Sequence, residues 1–209
     1  MSSVFSFLFF FLFVNQMKEK KLYFDAYELL MMALFALVSS LLNTYLPIKS
    51  FTAYLGIPVP AAGMALLGGF IFVFWVAMAH TIIKKKYAAV VTSLLIASFC
   101  LLIAPWYGIL SPQWFSIYGV IALLSMGVVV ELTGAASKLK GVIGGGMGNL
   151  SCLGITWMAI GVYAGVWVPS KYAPILVLAA FVSGSIGALI AYRTEGLFVR
   201  VYHLSFINY

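Results

Sequence analysis

Apolar residues run through this chain in long blocks, and short polar clusters break the blocks at nearly even intervals. After Met17-Lys-Glu-Lys-Lys come six blocks near the roughly 20 apolar residues that a helix needs to cross a bilayer. The first covers Tyr27–Leu46 and stops at Pro47; the second covers Pro60–Ile83 and ends at Lys84-Lys85-Lys86. A third, Tyr87–Tyr107, is closed by Pro105 and the turn-like Gly108-Ile-Leu-Ser-Pro112, and a fourth covers Trp114–Ala136. The fifth, Val142–Val168, opens on Gly144-Gly145-Gly146 and closes at Pro169, and the sixth, Ala173–Tyr192, stops at Arg193. Pro and Gly punctuate these blocks as helix stops should. The Phe-rich run Val4–Val14 is too short to span and lacks the basic start and small-residue cleavage site of a signal peptide. The pattern predicts an all-α integral membrane protein, with a single six-helix transmembrane domain over residues 17–209 and an apolar N-terminal extension over residues 1–16.

Composition strengthens that reading. Of 209 residues, 64% are hydrophobic and 8% charged, with a mean hydropathy of +1.11. Soluble domains are about half apolar and about a quarter charged, so lipid is the solvent that fits. The net charge of +7 raises the possibility of a nucleic-acid partner. The basic residues are scattered between apolar runs, however, so no face forms that would track phosphates and no such partner is expected. Their placement follows the blocks instead. With the N-terminus inside, Lys18, Lys20, Lys21, Lys84, Lys85, Lys86, Lys138, Lys140, Arg193 and Arg200 fall on inner segments, and only Lys49 and Lys171 on outer ones. Positive-inside asymmetry therefore predicts that both ends are cytoplasmic. Trp106, Tyr107, Trp114, Trp167 and Tyr172 fall at the outer boundary, where an interfacial aromatic belt is expected.

Catalysis and a bound cofactor are not expected. The acids are Glu19, Asp25, Glu28, Glu131 and Glu195, and all but Glu131 lie at or beyond the inner boundary. His80 and His203 lie near the inner surface, so no His pair faces across a bundle and no cluster has metal-ligand spacing. No histidine sits at the depth of the mid-membrane serines, as Ser–His chemistry would need. Cys100 and Cys152 lie in different blocks and read as free buried thiols. Gly144-Gly-Gly-Met-Gly-Asn-Leu-Ser151 has no Lys after Gly148 and leads into a span rather than out of a strand, so it is not a phosphate loop. Gly144-x3-Gly148, Gly161-x3-Gly165 and Gly184-x3-Ala188 are small-residue pairs that let helices approach in lipid. Glu131 is the one acid inside a span; it is read either as a functional carboxylate or as half of an ion pair with Lys138 or Lys140.

Polar and aromatic residues at the outer ends of the blocks could line a small-ligand site. Asn43 and Tyr45 end the first block, and Lys49, Thr52 and Tyr54 follow in the longest outer connection, which is placed to act as a lid. Gln113, Trp114 and Tyr118 occupy the outer part of the fourth block, Trp157, Tyr163 and Trp167 that of the fifth, and Lys171 and Tyr172 begin the sixth. Stacked rings with a few convergent polar groups are how small cyclic ligands are held.

Three passages carry a family likeness: Glu28-Leu-Leu-Met-Met-Ala-Leu-Phe-Ala36, the stretch from Gly56 to the Lys84 cluster, and Ser183-Gly-Ser-Ile-Gly-Ala188. Through them residues 25–195 resemble the substrate-binding S components of energy-coupling-factor vitamin transporters, most closely those for thiamine or its hydroxymethylpyrimidine precursor. The resemblance implies a multi-pass protein of a prokaryotic cell membrane that binds its vitamin near the outer face. It also implies work with a transmembrane coupling subunit and ATPase subunits. In that family an Ala-x3-Ala pair on the first helix docks on the coupling subunit; the match here is Ala36-x3-Ser40. The outer half of this chain holds no carboxylate, so a cationic thiazolium would rely on ring faces, which leaves a neutral pyrimidine open. A non-transporting scaffold subunit and a standalone small transporter are the alternative readings.

Overall fold

A computed structural model of the chain describes residues 23–45, 59–103, 112–134 and 137–207. Most of those residues are helical, with no strand among them. Helix α1 (Ala26–Tyr45) starts where Asp25 accepts the Ala26 N–H at 2.6 Å and donates its own N–H to Glu28 Oε2 at 2.8 Å, which is half of a capping box. Next come α2 (Val59–Gly68), a π-helical turn (Gly69–Val73) and α3 (Phe74–Ile83), which together make one continuous rod. Helices α4 (Ala88–Ile103), α5 (Pro112–Gly134), α6 (Lys138–Ala164) and α7 (Ala173–Ile207) follow, with a short 3-10 turn at Ser170–Tyr172.

The rod occupies the centre, and α1, α4, α5, α6 and α7 surround it in that order. Burial follows from that position: 72% of the rod's most apolar window is buried, against 28–33% for the corresponding windows of α1, α5 and α7. Among the described residues, four helical segments are long and apolar enough to cross a membrane: Ala26–Tyr45, Ala62–Ile83, Ile117–Gly134 and Ser170–Glu195. The polarity of the bundle is inverted relative to a water-soluble one. Ser39, Ser40, Thr92, Ser93 and Asn149 are fully buried, whereas Leu34, Leu102, Ile117, Leu132 and Leu178 are exposed. Inside, the hydroxyls satisfy backbone carbonyls: Ser39 Oγ donates to Ile71 O at 2.6 Å and Thr92 Oγ1 to Ala88 O at 2.8 Å.

Glycines and one asparagine set how closely the rod, α6 and α7 approach. A Cβ on Gly69 would overlap the Ser183 carbonyl, and one on Gly187 would overlap the Gly69 carbonyl, so only hydrogen fits at this crossing. In the π turn the Phe74 N–H reaches back to Gly69 O, and the Gly69 N–H is received by Ser183 Oγ at 3.1 Å. Ser183 Oγ in turn donates to Leu66 O at 3.0 Å. The Ser183–Ala188 passage therefore has a packing role. From α6, Asn149 Nδ2 donates to Met64 O at 3.1 Å and to Ala180 O at 2.9 Å, which ties the rod to α7.

Several expectations are corrected. Ala36 and Ser40, expected to dock a coupling subunit, are both fully buried within this chain, and Ser40 Oγ donates to Ala36 O at 2.8 Å and Ile96 O at 3.3 Å, within the α1–α4 contact. Gly161-x3-Gly165 is not a helix–helix pair, since Gly161 lies under the Trp167 ring and Gly165 is a left-handed C-cap at φ +66°. Gly144–Gly146 do not open the fifth block; they are buried two turns into a helix that already starts at Lys138. The last helix does not stop at Arg193 but continues to Ile207, because no proline follows to break it.

Candidate functional site

Two ends of the bundle carry the polar chemistry. At one end the rod finishes in Lys84, whose backbone is left-handed (φ 55°) and whose N–H closes on His80 O at 3.1 Å. Tyr87, also left-handed at φ 69°, completes the reversal into α4. This places Lys84, Lys85 and Lys86 in one tight turn, beside Gly134 at the end of α5 and Ser137 and Lys138 at the start of α6. Ion pairs then stitch the neighbouring segments together. Lys85 Nζ meets Glu28 Oε2 at 2.6 Å from the start of α1, and Lys84 Nζ meets Glu195 Oε1 at 3.0 Å from α7.

Glu131 belongs to this end, and its partners are not the lysines of its own connection. Its Oε2 accepts the Ala89 N–H at 2.9 Å, at the start of α4. Its Oε1 lies 3.6 Å from His80 Nδ1 of α3, which is ion-pair range for a protonated imidazole but longer than a hydrogen bond. Both side chains are mostly enclosed, at 13% and 11% exposure. The carboxylate thus supplies an acceptor to a first-turn N–H that its own helix leaves unsatisfied, and it joins three helices. Around it lies a cleft of about 410 Å³, with Lys84, Lys85, Lys86 and Lys138 on its walls and Tyr192 and Glu195 from α7.

The other end holds Tyr118, Tyr163, Trp167 and Tyr172. Tyr118 of α5 and Tyr163 of α6 share a hydroxyl–hydroxyl hydrogen bond of 2.7 Å, with ring centroids 4.9 Å apart, on the exposed surface. Tyr118 lies thirteen residues before Glu131, about 20 Å along the helix at about 1.5 Å per residue. Lys171 Nζ sits 4.8 Å over the Tyr172 ring. Trp167 is 59% exposed and lies over Gly161, while Trp157 is partly buried against the core.

No family model, curated protein or solved structure matches this chain. The functional reading therefore rests on the residues themselves. Of the expected ligand residues, Tyr118 and Tyr163 are brought into contact. Asn43 donates to Cys100 Sγ at 3.7 Å, within the α1–α4 contact, and Tyr45 is 76% exposed at the end of α1. Lys171 engages its neighbour Tyr172. Gln113 and Trp114 lie in the first turn of α5, with their side chains outside the described residues, and Lys49 and Tyr54 lie outside them altogether. Two residues that carry structure here were missed. Asn149 was readable as a lone amide in a glycine-rich span. Tyr192 carried no signal beyond its place at a helix end.

Proposed function

We propose that the chain crosses the cytoplasmic membrane of a prokaryote six times, with both ends inside, and binds a small vitamin or vitamin precursor. In this reading it is the substrate-binding subunit of an energy-coupling-factor importer and not an enzyme. Beside the four long apolar segments, α4 and α6 supply the other two crossings. Helix α4 has 16 residues, about 24 Å at about 1.5 Å per residue, and crosses where the bilayer thins. Helix α6 has ample length at 27 residues. Its low mean hydropathy comes from Gly and Asn on the buried face, while Ile143, Met147, Met158 and Val162 face outward. The lysines gathered at one end favour that end as the cytoplasmic one.

The observation that carries the ligand reading is the Tyr118–Tyr163 pair, two rings and two hydroxyls together at the end opposite the Lys84–Lys86 and Lys138 cluster. Such a pair suits a flat heteroaromatic ring such as a pyrimidine. The chain holds no nucleotide-binding motif, so energy would come from ATPase partners through a coupling subunit. Native mass spectrometry of the purified chain, followed by fluorescence titration with thiamine, hydroxymethylpyrimidine and riboflavin, tests the reading. A bound small molecule is expected, and Trp157→Ala or Tyr163→Ala should weaken binding at least about tenfold. No bound molecule and no response to any of the three would overturn it.

A further inference from the structure

The cleft at the basic end has an uneven charge balance. Glu28, Glu131 and Glu195 are each engaged, with Lys85, with His80 and the Ala89 N–H, and with Lys84. Among the described residues no acid pairs with Lys86 or Lys138, and both line the cleft. Beside the cleft, which Tyr192 lines, the Tyr192 hydroxyl is buried without a hydrogen-bond partner among the described residues. A buried donor left unpaired is costly and calls for an acceptor. The volume of about 410 Å³ lies within the range of small-ligand sites, about 300–1,000 Å³.

We infer that this cleft binds a phosphate group, with Lys86 and Lys138 supplying charge and the Tyr192 hydroxyl an oriented donor. Two free ammonium groups and a hydroxyl match a group that carries several acceptor oxygens and up to about two negative charges. A carboxylate, with two oxygens and one charge, would leave part of the site unanswered. The phosphate can arrive on an anionic lipid headgroup from the adjoining leaflet or as a free phosphate from solution. Basic pockets between helices at a membrane surface hold lipid phosphates in this way. The inference is independent of what the aromatic end binds.

The test uses the full chain in nanodiscs of phosphatidylglycerol or phosphatidylcholine, with retained lipid read by native mass spectrometry. A second arm titrates inorganic phosphate in detergent and follows the ³¹P resonance. A lipid headgroup is the source if phosphatidylglycerol is retained over phosphatidylcholine, whose phosphate is neutralised by choline. Free phosphate is the source if the ³¹P signal responds and the two lipids behave alike. In either case the Lys86→Gln/Lys138→Gln double variant should weaken binding about tenfold or more. Lys140 is exposed on the same first turn of α6 but does not line the cleft, so Lys140→Gln should change binding less than about twofold. An equal loss in Lys140→Gln would mean diffuse surface attraction and overturn the site. So would no lipid preference together with no phosphate response.

Discussion

The two ends of this bundle solve different problems with different side chains. At the basic end, short turns bring charged groups from α1, α3, α5 and α7 within bonding distance, and each acid bridges elements distant in sequence. At the aromatic end the contact that joins two helices is a pair of tyrosines, exposed on both sides. A carboxylate that is mostly enclosed must be met by partners or its desolvation is uncompensated, so it fixes the geometry around it. Exposed rings carry no such requirement and tolerate adjustment. Position is therefore set at the basic end, and the aromatic end is left freer to meet a ligand.

The largest expected effect comes from removing the enclosed carboxylate. Glu131→Leu strands the Ala89 N–H and leaves His80 without its acid, at a site only 13% exposed. Breaking one partner of such a group should cost about 3 kcal/mol, although replacing the whole pair with apolar residues need not. Glu131→Gln keeps an acceptor for Ala89 and should cost about 1 kcal/mol. Thermal unfolding of the purified variants in detergent reads both. If Glu131→Leu melts with the wild type, the basic end is not the clamp and the comparison fails.

A matched pair of substitutions in α6 sharpens the contrast. Replacing a helical Gly by Ala is worth about 1 kcal/mol when the methyl group finds room. At Gly141 the methyl group would overlap the Tyr192 hydroxyl and ring, and that ring packs against the core. Forcing it aside should cost about 1–3 kcal/mol, so Gly141→Ala destabilises. At Gly161 the methyl group would meet Trp167 ring atoms at 2.6 Å, but that ring is 59% exposed and can swing outward. Gly161→Ala should therefore stay within about 0.5 kcal/mol of the wild type or gain stability. Adding Tyr192→Phe to Gly141→Ala removes the clashing oxygen and should recover part of the loss. Equal losses at both glycines would mean that the ends are equally tight.

The helices were readable because lipid demands long apolar blocks, and lysine clusters mark the reversals at Lys84–Lys86 and Lys138–Lys140. Their inner faces were not, because polar and small residues inside a span look alike whether they meet a partner protein or the chain itself. Ala36 and Ser40 illustrate this: the spacing suits docking, and only the position of α4 shows that Ile96 O takes the Ser40 hydroxyl. Glu131 illustrates it for charge, since the sequence offered Lys138 and Lys140 as neighbours while His80 and Ala89 came from other helices. The π turn at Gly69–Val73 has no period of its own in an apolar run, and its support comes from Ser183, 114 residues away. Of the candidate ligand site, the Tyr118–Tyr163 contact was foreshadowed by two aromatic residues at matching depth on successive blocks.

The smallest expected effect on stability concerns that contact, and it bears most directly on function. Tyr118→Phe removes one hydroxyl from a 2.7 Å hydrogen bond and keeps the ring at the 4.9 Å centroid distance. Because the pair is exposed, the remaining Tyr163 hydroxyl can turn to water, so no buried donor is orphaned. The unfolding midpoint should fall by less than about 2 °C, well short of the Glu131→Leu change. Tyr163→Phe should behave alike. The double variant should lose less than the sum of the two, since either change alone already breaks the shared bond. If the pair serves recognition, ligand affinity should respond more than the melting temperature does, and the two readouts taken on the same samples separate the roles. A drop in midpoint as large as that of Glu131→Leu would show that the aromatic end is clamped as firmly as the basic one, and the division of labour between them would have to be given up.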